Sequence, residues 1–97
     1  MNKILYLVSY IGIYQGYEGD HSHWLFDNEA DAIKCFFEQK ENCLSYYRDE
    51  LGWSFRTFYD DSNMEFQLIA DNDDENEHVD IYITEITADG KVSQSVL

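Results

Sequence analysis

The chain has 97 residues, and 20 acidic against 6 basic side chains give it a formal charge of −14. Binding to a phosphate backbone or to anionic lipid requires exposed Lys and Arg, so neither direct nucleic-acid binding nor membrane anchoring is expected. Disorder is not expected either, because 44% of the residues are apolar and 16% are aromatic. We therefore expect one folded domain that spans residues 1–97.

The first apolar segment, residues 4–14, is β-branched and aromatic on both alternating faces. This pattern predicts a strand that is covered on both sides or lies centrally in its sheet. Gly12, Gly16 and Gly19 follow, and they predict a bulge and a flexible turn. Residues 23–26 predict a short strand that returns as the second arm of a hairpin.

One long helix is predicted next, with a length of about 22 residues. Asp27 or Asn28 is suited to the N-cap, and Gly52 is suited to the position after the helix ends. Apolar side chains at helical spacing predict the buried stripe, with Lys40 as its polar interruption. The apolar members of this stripe are Ala30, Ile33, Phe37, Leu44, Tyr47 and Leu51.

Three strands are predicted after the helix, over residues 53–59, 64–70 and 78–86, with polar turns at 60–63 and 71–77. In the last strand, Val79, Ile81 and Ile83 are predicted to face one side and Asp80 the other. The order β-β-α-β-β-β predicts an α+β two-layer sandwich. Its antiparallel sheet would have four to five strands, with the helix packed on one face.

The two cysteines, Cys35 and Cys43, lie eight residues apart in the predicted helix. Their Cα atoms would be about 12 Å apart, whereas a disulfide needs less than about 7 Å. Free thiols indicate a reducing compartment, so the cytoplasm is the expected location. The apolar run 4–8 is too short for a signal peptide, and no stretch approaches the roughly 20 apolar residues of a membrane span.

Metal sites are not expected from the spacing of the potential ligands. A calcium loop that began at Asp71 would place Asn76 where glycine is needed and Tyr82 where glutamate is needed. His21 and His23 share one side of a strand, but a zinc site needs a third protein ligand, such as His78 or a cysteine. We expect no cofactor.

Enzymatic function is not expected, because the motifs that carry it are missing from the sequence. There is no G-x-S-x-G elbow, no phosphate-cradling glycine loop and no helical H-E-x-x-H. Neither cysteine is flanked by the basic cluster that activates a thiol nucleophile.

The acidic residues are concentrated in one region. Residues 60–89 contain eleven acids, and residues 57–90 contain no Lys or Arg. Alternate residues of an extended segment are about 6.6–6.8 Å apart, near the spacing of every second phosphate along a nucleic-acid strand. We therefore predict an acidic partner-binding surface. Its members are Asp60, Asp61, Asp71, Asp73, Asp74, Glu75, Glu77, Asp80 and Glu85.

A second candidate surface is predicted near the first hairpin, because four of the eight tyrosines fall within residues 6–17. Tyr and Trp provide large, rigid contact area at low entropic cost. Its members are Tyr14, Tyr17, Glu18, Asp20, Trp24 and Asp27. Two simpler interpretations stay open: the aromatic residues would also fill the core of a small domain, and the acids would also keep it soluble.

In length, negative charge, aromatic content and lack of a catalytic motif, the chain resembles the small acidic inhibitors of phages and mobile elements. These are anti-CRISPR, anti-restriction and DNA-mimicking proteins. The resemblance covers the whole chain, rests on no motif and carries over no functional residue. It implies an inhibitor, in the host cytoplasm if phage-encoded, that blocks nucleic-acid access to a basic nuclease or to a CRISPR or restriction effector.

Two other functions are compatible with the same residues. One is an immunity protein that neutralises a basic nuclease toxin by the same electrostatics. The other is a small α+β domain that binds a peptide or ligand. A homodimer is compatible with each of these functions.

Overall fold

The computed structural model describes residues 4–14, 17–71 and 77–87. The predicted α+β architecture and the order β-β-α-β-β-β are confirmed. The elements are β1 (Ile4–Tyr14), β2 (Tyr17–Phe26), α1 (Glu29–Ser45) with a π-helical turn at Tyr46–Glu50, β3 (Phe55–Asp60), β4 (Glu65–Ala70) and β5 (His78–Thr87).

The five strands form one antiparallel sheet in the order β2-β1-β5-β4-β3. β1 therefore lies inside the sheet, as predicted, and β2 and β3 form its edges. The predicted bulge is confirmed by the shift in register between Gly12 and Ile13. β2 begins at Tyr17, earlier than predicted, and it pairs with residues 6–14 of β1. An edge strand tolerates polar side chains at its solvent-facing positions, so the polar residues 18–22 can belong to it.

The helix begins and ends near its predicted limits. Asn28 is the N-cap, and its side chain accepts a hydrogen bond from the backbone N–H of Asp31 at 2.8 Å. After the π-helical turn, Gly52 adopts a φ of 66°, the left-handed conformation that favours glycine. The N–H of Trp53 then bonds the carbonyl of Tyr47 at 3.0 Å, which closes the helix end.

The buried stripe of the helix differs from the predicted one at two positions. Tyr47 is buried, as predicted. Ala32, Phe36 and Cys43 are buried as well, whereas the predicted Ala30 is exposed and Phe37 is 38% exposed. Ile33, Leu44 and Leu51 are partly buried against the core, as predicted. The prediction at Ala30 and Phe37 was wrong because neighbouring apolar residues fit two helical stripes, and only packing against the sheet selects one of them.

The core lies between the helix and one face of the sheet. Its sheet side includes Val79, Ile81 and Ile83, which confirms the predicted inward face of β5. Lys40, the predicted polar interruption of the helical stripe, lies with its ammonium 4.6 Å from the centroid of the Tyr59 ring. This cation–π contact explains why a lysine is compatible with a position beside the core.

The other side of the sheet, here called the open face, has no helix or strand over it among the described residues. Strand alternation places Leu5, Leu7, Ile11 and Ile13 of β1 on this side, opposite to the buried Val8. Leu25 of β2 also lies there and is 58% exposed. Leu5, Leu7, Ile11 and Ile13 are partly buried on this side, and Ser9 between them is fully buried.

The two cysteines are free thiols in different surroundings. Cys43 is buried, and burial raises the pKa of its thiol from 9.0 to about 12, against a smaller opposite effect of a hydrogen bond with Tyr10. Cys35 is partly buried, and this burial, with the nearby Glu38 carboxylate, raises its pKa as well.

We expect iodoacetamide to alkylate Cys35 of the folded protein first, and Cys43 only after unfolding. Because the unfolded thiol of Cys43 ionises near pH 9.0 and the folded one near about 12, stability should fall as pH rises through this window. Mass spectrometry of a Cys35→Ser variant, with and without urea, measures the reactivity of Cys43 alone. Equal labelling rates in the two conditions would contradict the burial of Cys43.

Candidate acidic interface

The turn between β3 and β4 holds two of the predicted surface acids, Asp60 and Asp61. The carboxylate of Asp60 accepts hydrogen bonds from the side-chain amide of Asn63 at 2.8 Å and from the backbone N–H of Ser62 at 3.0 Å. Hydrogen bonds from Asn63 and Ser62 lower the pKa of Asp60. The turn thus holds a charged carboxylate at neutral pH.

Asp60 lies directly across from Glu65 in the last register pair of the β3–β4 hairpin. Strand alternation places both on the open face, where Glu65 is also opposite Tyr82 of β5. Desolvation raises the pKa of Tyr82, and the carboxylates of Asp80 and Glu65 raise it further. Like charges directly opposite each other destabilise a sheet, so the Asp60–Glu65 pair brings a local cost to folding.

A second group of carboxylates surrounds the start of the helix. Asn28 donates hydrogen bonds from its side-chain amide to the carboxylates of Asp27 and Asp31, at 3.2 and 2.9 Å. Glu85 lies opposite Tyr6 in the β1–β5 register. Desolvation raises the pKa of Tyr6, and the carboxylates of Glu29 and Glu85 raise it further.

These two groups lie towards the same end of the sheet but on opposite sides of it, Asp60 and Glu65 on the open face and Glu85 on the side of the helix. Tyr6 pairs with Phe26, the last residue of β2, and the backbone carbonyl of Met64 in the β3–β4 turn accepts from the N–H of Ile83 at 3.2 Å. Ile83 is two residues before Glu85. We call this region the acidic end, and its members are Asp27, Glu29, Asp31, Asp60, Asp61, Glu65 and Glu85.

Three of the four basic side chains of the described residues have other surroundings, and the fourth, Lys34, is exposed in the second turn of the helix. Arg48 is ion-paired with Asp49 at 3.1 Å, and Arg56 is ion-paired with Asp71 at 3.3 Å. Lys40 lies over aromatic rings on the helix side of the sheet. Since the sequence has no base in residues 57–90, the β3–β4 turn and β5 contribute only negative charge to the acidic end.

The predicted acidic surface is therefore only partly assembled. Asp60 and Asp61 lie together in the β3–β4 turn, whereas Glu85 lies on the helix-facing side of β5. Asp80 lies on the open face, where it accepts a hydrogen bond from Gln67 at 2.9 Å. Asp71 lies at the other end of the β3–β4 hairpin. The predicted residues that lie outside the described part of the chain are Asp73, Asp74 and Glu75.

The prediction that Glu77 belongs to an exposed acidic row was wrong. Glu77 is buried, and its carboxyl group accepts a hydrogen bond from the Tyr47 hydroxyl at 2.5 Å. Its backbone carbonyl also accepts from the N–H of Ala70 at 3.0 Å. Glu77 thus attaches the chain just before β5 to the helix and to β4, a role that only the tertiary contacts reveal.

The predicted second surface does not form one group. Trp24 packs against the core from the sheet side that faces the helix. Asp20 is paired with Gly12 in the first half of β2. Asp27 directly follows Phe26, the last residue of β2, and belongs to the acidic end. The remaining three members lie at the β1–β2 hairpin: Tyr14 pairs with Tyr17, and Glu18 pairs with Ile13.

Glu29, Asp31 and Glu65 are members of the acidic end that the sequence-based surface omitted. A signal for Glu65 was present, because a tight turn after Asp60 places the first residue of the next strand opposite it. Glu29 and Asp31 were read only as residues that favour the start of a helix. Their proximity to Glu85 depends on how the helix crosses the sheet.

Other chemistry on the open face centres on His23. Its Nδ1 is 3.0 Å from the Ser9 hydroxyl, and its ring lies 5.5 Å from that of His21. Ser9 is fully buried, so its hydroxyl is not accessible to a substrate as a nucleophile. In the described part of the chain, no three metal-ligating side chains come together, and no helix is long and apolar enough to cross a membrane.

The acidic end is thus the arrangement of charged groups that the fold assembles from segments distant in sequence. It combines the start of the helix, the β3–β4 turn and the second half of β5. Comparison of the chain with protein-family models, with characterised proteins and with solved structures found no match.

Proposed function

We propose that the chain is a non-enzymatic inhibitor that binds a basic nucleic-acid-handling protein through the acidic end. The target class is a nuclease or a CRISPR or restriction effector, whose nucleic-acid groove the inhibitor would block. The observation that carries this proposal is that seven carboxylates from separate parts of the chain lie at one end of the sheet, with Asp60 and Glu65 on its open face and Glu85 on the side of the helix.

A groove that binds phosphates presents Arg and Lys side chains, and these form charge-assisted hydrogen bonds with carboxylates as well. Asp27, Glu29 and Asp31 also stabilise the positive end of the helix dipole, so their charge has a use within the fold. Asp60 accepts the hydrogen bonds that hold the β3–β4 turn, but Glu65 places a second negative charge directly opposite it across the hairpin. A basic partner would relieve this repulsion.

An exposed aromatic side chain lies beside the same pair. Phe58 is 53% exposed and lies two residues before Asp60 on the same strand, hence on the same face of the sheet. Interfaces commonly combine an aromatic side chain that is buried by the partner with charged groups around it. Phe58 supports a protein partner, since a solvated acidic surface has no need of an exposed aromatic residue.

The test compares two double variants that change the net charge equally. Asp61→Asn with Glu65→Gln neutralises part of the acidic end and keeps Asp60, which holds the turn. Glu38→Gln with Glu41→Gln neutralises two exposed acids on the helix and serves as the control. Each protein is used to capture partners from host lysate at about 50 and about 500 mM NaCl.

We expect capture of a nucleic-acid enzyme that is weakened about tenfold or more by the acidic-end variant and by high salt, but not by the helix variant. Duplex DNA should displace the captured protein. Equal capture by both variants would show that the acidic end is not the binding site. Capture of peptides or metabolites alone, with no nucleic-acid enzyme, would overturn the inhibitor function itself.

A further inference from the structure

We infer that His21 and His23 of β2 together bind a divalent transition-metal ion such as zinc, with water in its remaining coordination positions. The two histidines do not belong to the acidic end, so this site does not depend on the proposed inhibitor function. Three features support it: the exposure of both side chains on one strand, the distance between their rings and the hydrogen bond that orients His23.

The strand places the two histidines side by side. Side chains two positions apart in a strand project from the same face, about 6.6–6.8 Å apart along it. The register is regular here, because His21 lies opposite Ile11 and His23 lies opposite Ser9. Both histidines are exposed on the edge strand of the sheet. A solvated ion therefore reaches the pair without any opening of the fold.

The distance between the two rings fits a shared metal ion. Their centroids are 5.5 Å apart, and the ring planes meet at 73°. Zinc binds histidine nitrogen at about 2.0–2.1 Å and prefers tetrahedral coordination. Because a ring nitrogen is about 1.1 Å from its centroid, two histidines on one tetrahedral ion have their centroids about 5.2 Å apart. The separation of the two rings thus needs little change for chelation.

Ser9 orients the ring of His23. The Ser9 hydroxyl is 3.0 Å from Nδ1 of His23, and Ser9 is fully buried in the sheet. This contact leaves Nε2 on the side of the ring that faces away from Ser9. Histidines that bind metals usually hold their second ring nitrogen in a hydrogen bond, which fixes the ring and decides which nitrogen is available to the ion.

The direction of this hydrogen bond follows from a second contact of Ser9. The Ser9 hydroxyl also bonds the side chain of Tyr82, its register partner on β5. Desolvation raises the pKa of Tyr82, whereas the bond with Ser9 lowers it, as a bond donated to the phenol oxygen does. A hydroxyl has one proton to donate. Since Ser9 gives it to Tyr82, Ser9 accepts from Nδ1 of His23, and Nε2 carries the lone pair that a metal ion needs.

The two imidazoles select the class of ion. Neutral imidazole suits zinc, copper and nickel, whereas calcium and magnesium prefer oxygen ligands. In the part of the chain that the structure describes, no third histidine, cysteine or carboxylate completes the pair. Structural zinc sites have four protein ligands and catalytic sites have three. A site with two protein ligands is weaker, so we expect an ion that exchanges with solution.

Zinc binding to the full chain, without a histidine tag and with Cys35→Ser to remove the partly exposed thiol, provides the first test. Titration calorimetry should give one ion per chain. His21→Gln and His23→Gln should each weaken binding about tenfold or more, because loss of a ligand costs at least as much as loss of a group behind it. The matched control is His78→Gln, which removes the third histidine of the chain and should leave binding unchanged. Excess calcium should not displace the zinc.

Nuclear magnetic resonance tests Ser9 as a positioning residue. The ring nitrogen shifts of neutral His23 should show a protonated Nδ1 and an unprotonated Nε2, and zinc should shift the Nε2 signal. Ser9→Ala should give a mixture of the two tautomers and weaken zinc binding about tenfold. If Ser9→Ala changes only the stability of the fold, and neither the tautomer nor the affinity, the positioning role of Ser9 is wrong.

The site itself fails in two recognisable ways. Unchanged affinity in the double variant His21→Gln with His23→Gln would mean that the many carboxylates of the chain bind the zinc adventitiously, and it would overturn the site. Absence of binding at about 1 mM zinc would overturn it as well. Neither result bears on the inhibitor function, which is tested by capture of a partner at the acidic end.

Discussion

Replacement of Phe36 by alanine is expected to lower the free energy of unfolding by about 3–5 kcal/mol. Phe36 is fully buried and lies in the middle of the helix, where its ring packs against Phe37 and Tyr59 at centroid distances of 5.4 and 6.2 Å. Removal of a fully buried phenyl ring leaves a cavity that the surrounding sheet cannot close.

The control is the next residue. Phe37 is 38% exposed, so Phe37→Ala should cost only about 1 kcal/mol. Urea titrations of the two variants measure both free energies under the same conditions. Equal losses, or a larger loss for Phe37, would mean that the helix is rotated about its axis relative to the structure described above.

Replacement of Tyr47 by phenylalanine is expected to cost about 1–3 kcal/mol, although it removes only one oxygen atom. The Tyr47 hydroxyl donates a hydrogen bond to the carboxyl group of Glu77, and both side chains are buried. Without the hydroxyl, the Glu77 carboxyl group would keep its burial and lose this hydrogen bond. The desolvation of an unpaired buried polar group is the main part of the expected loss.

Tyr46 is again a control from the neighbouring position. It is 44% exposed, and Tyr46→Phe should change stability by less than about 0.5 kcal/mol. The double variant Tyr47→Phe with Glu77→Leu should be more stable than Tyr47→Phe alone, because an apolar pair leaves no polar group unpaired. If Tyr47→Phe has no measurable effect on urea denaturation, the buried hydrogen bond does not stabilise the fold.

This hydrogen bond also concerns the residues on either side of the acidic segment 72–76. The N–H of Asp71 bonds the carbonyl of Ser54 at 2.9 Å, and Glu77 is held by Tyr47 and by Ala70. Asp71 and Glu77 are therefore both attached to the body of the domain. Tyr47→Phe would remove one of these attachments, so proteolysis next to Glu77 should be faster in this variant.

Much of the fold could be predicted from the sequence, because the signals for its elements are local. Asn28 and Gly52 mark the ends of the helix through preferences that need no distant contact. The alternation of apolar and polar residues in β5 is also local, and it assigns Val79, Ile81 and Ile83 to the buried face. Local sequence could not predict whether Phe36 or Phe37 is buried, since both residues belong to plausible helical stripes.

The candidate site was less predictable, because it depends on register and on the path of the helix. The number of acids in residues 60–89 led to a predicted surface that contains both Asp60 and Glu77. In the structure Glu77 is buried beside Tyr47, and Asp60 lies with Glu65. Proximity in sequence was a poor guide to proximity on the surface, since consecutive strands carry their ends to opposite sides of the domain.

The sequence by itself determined the class of fold, the limits of the helix and a charge of −14 that disfavours phosphate and anionic-lipid partners. Only the tertiary structure decided where that charge is concentrated, because the antiparallel register brings the β3–β4 turn and Glu85 to the end of the sheet where the helix begins. It also decided that one apolar face of β1 lies under the helix and the other on the open face. Composition and periodicity describe neighbours along the chain, whereas surfaces are formed by neighbours in space.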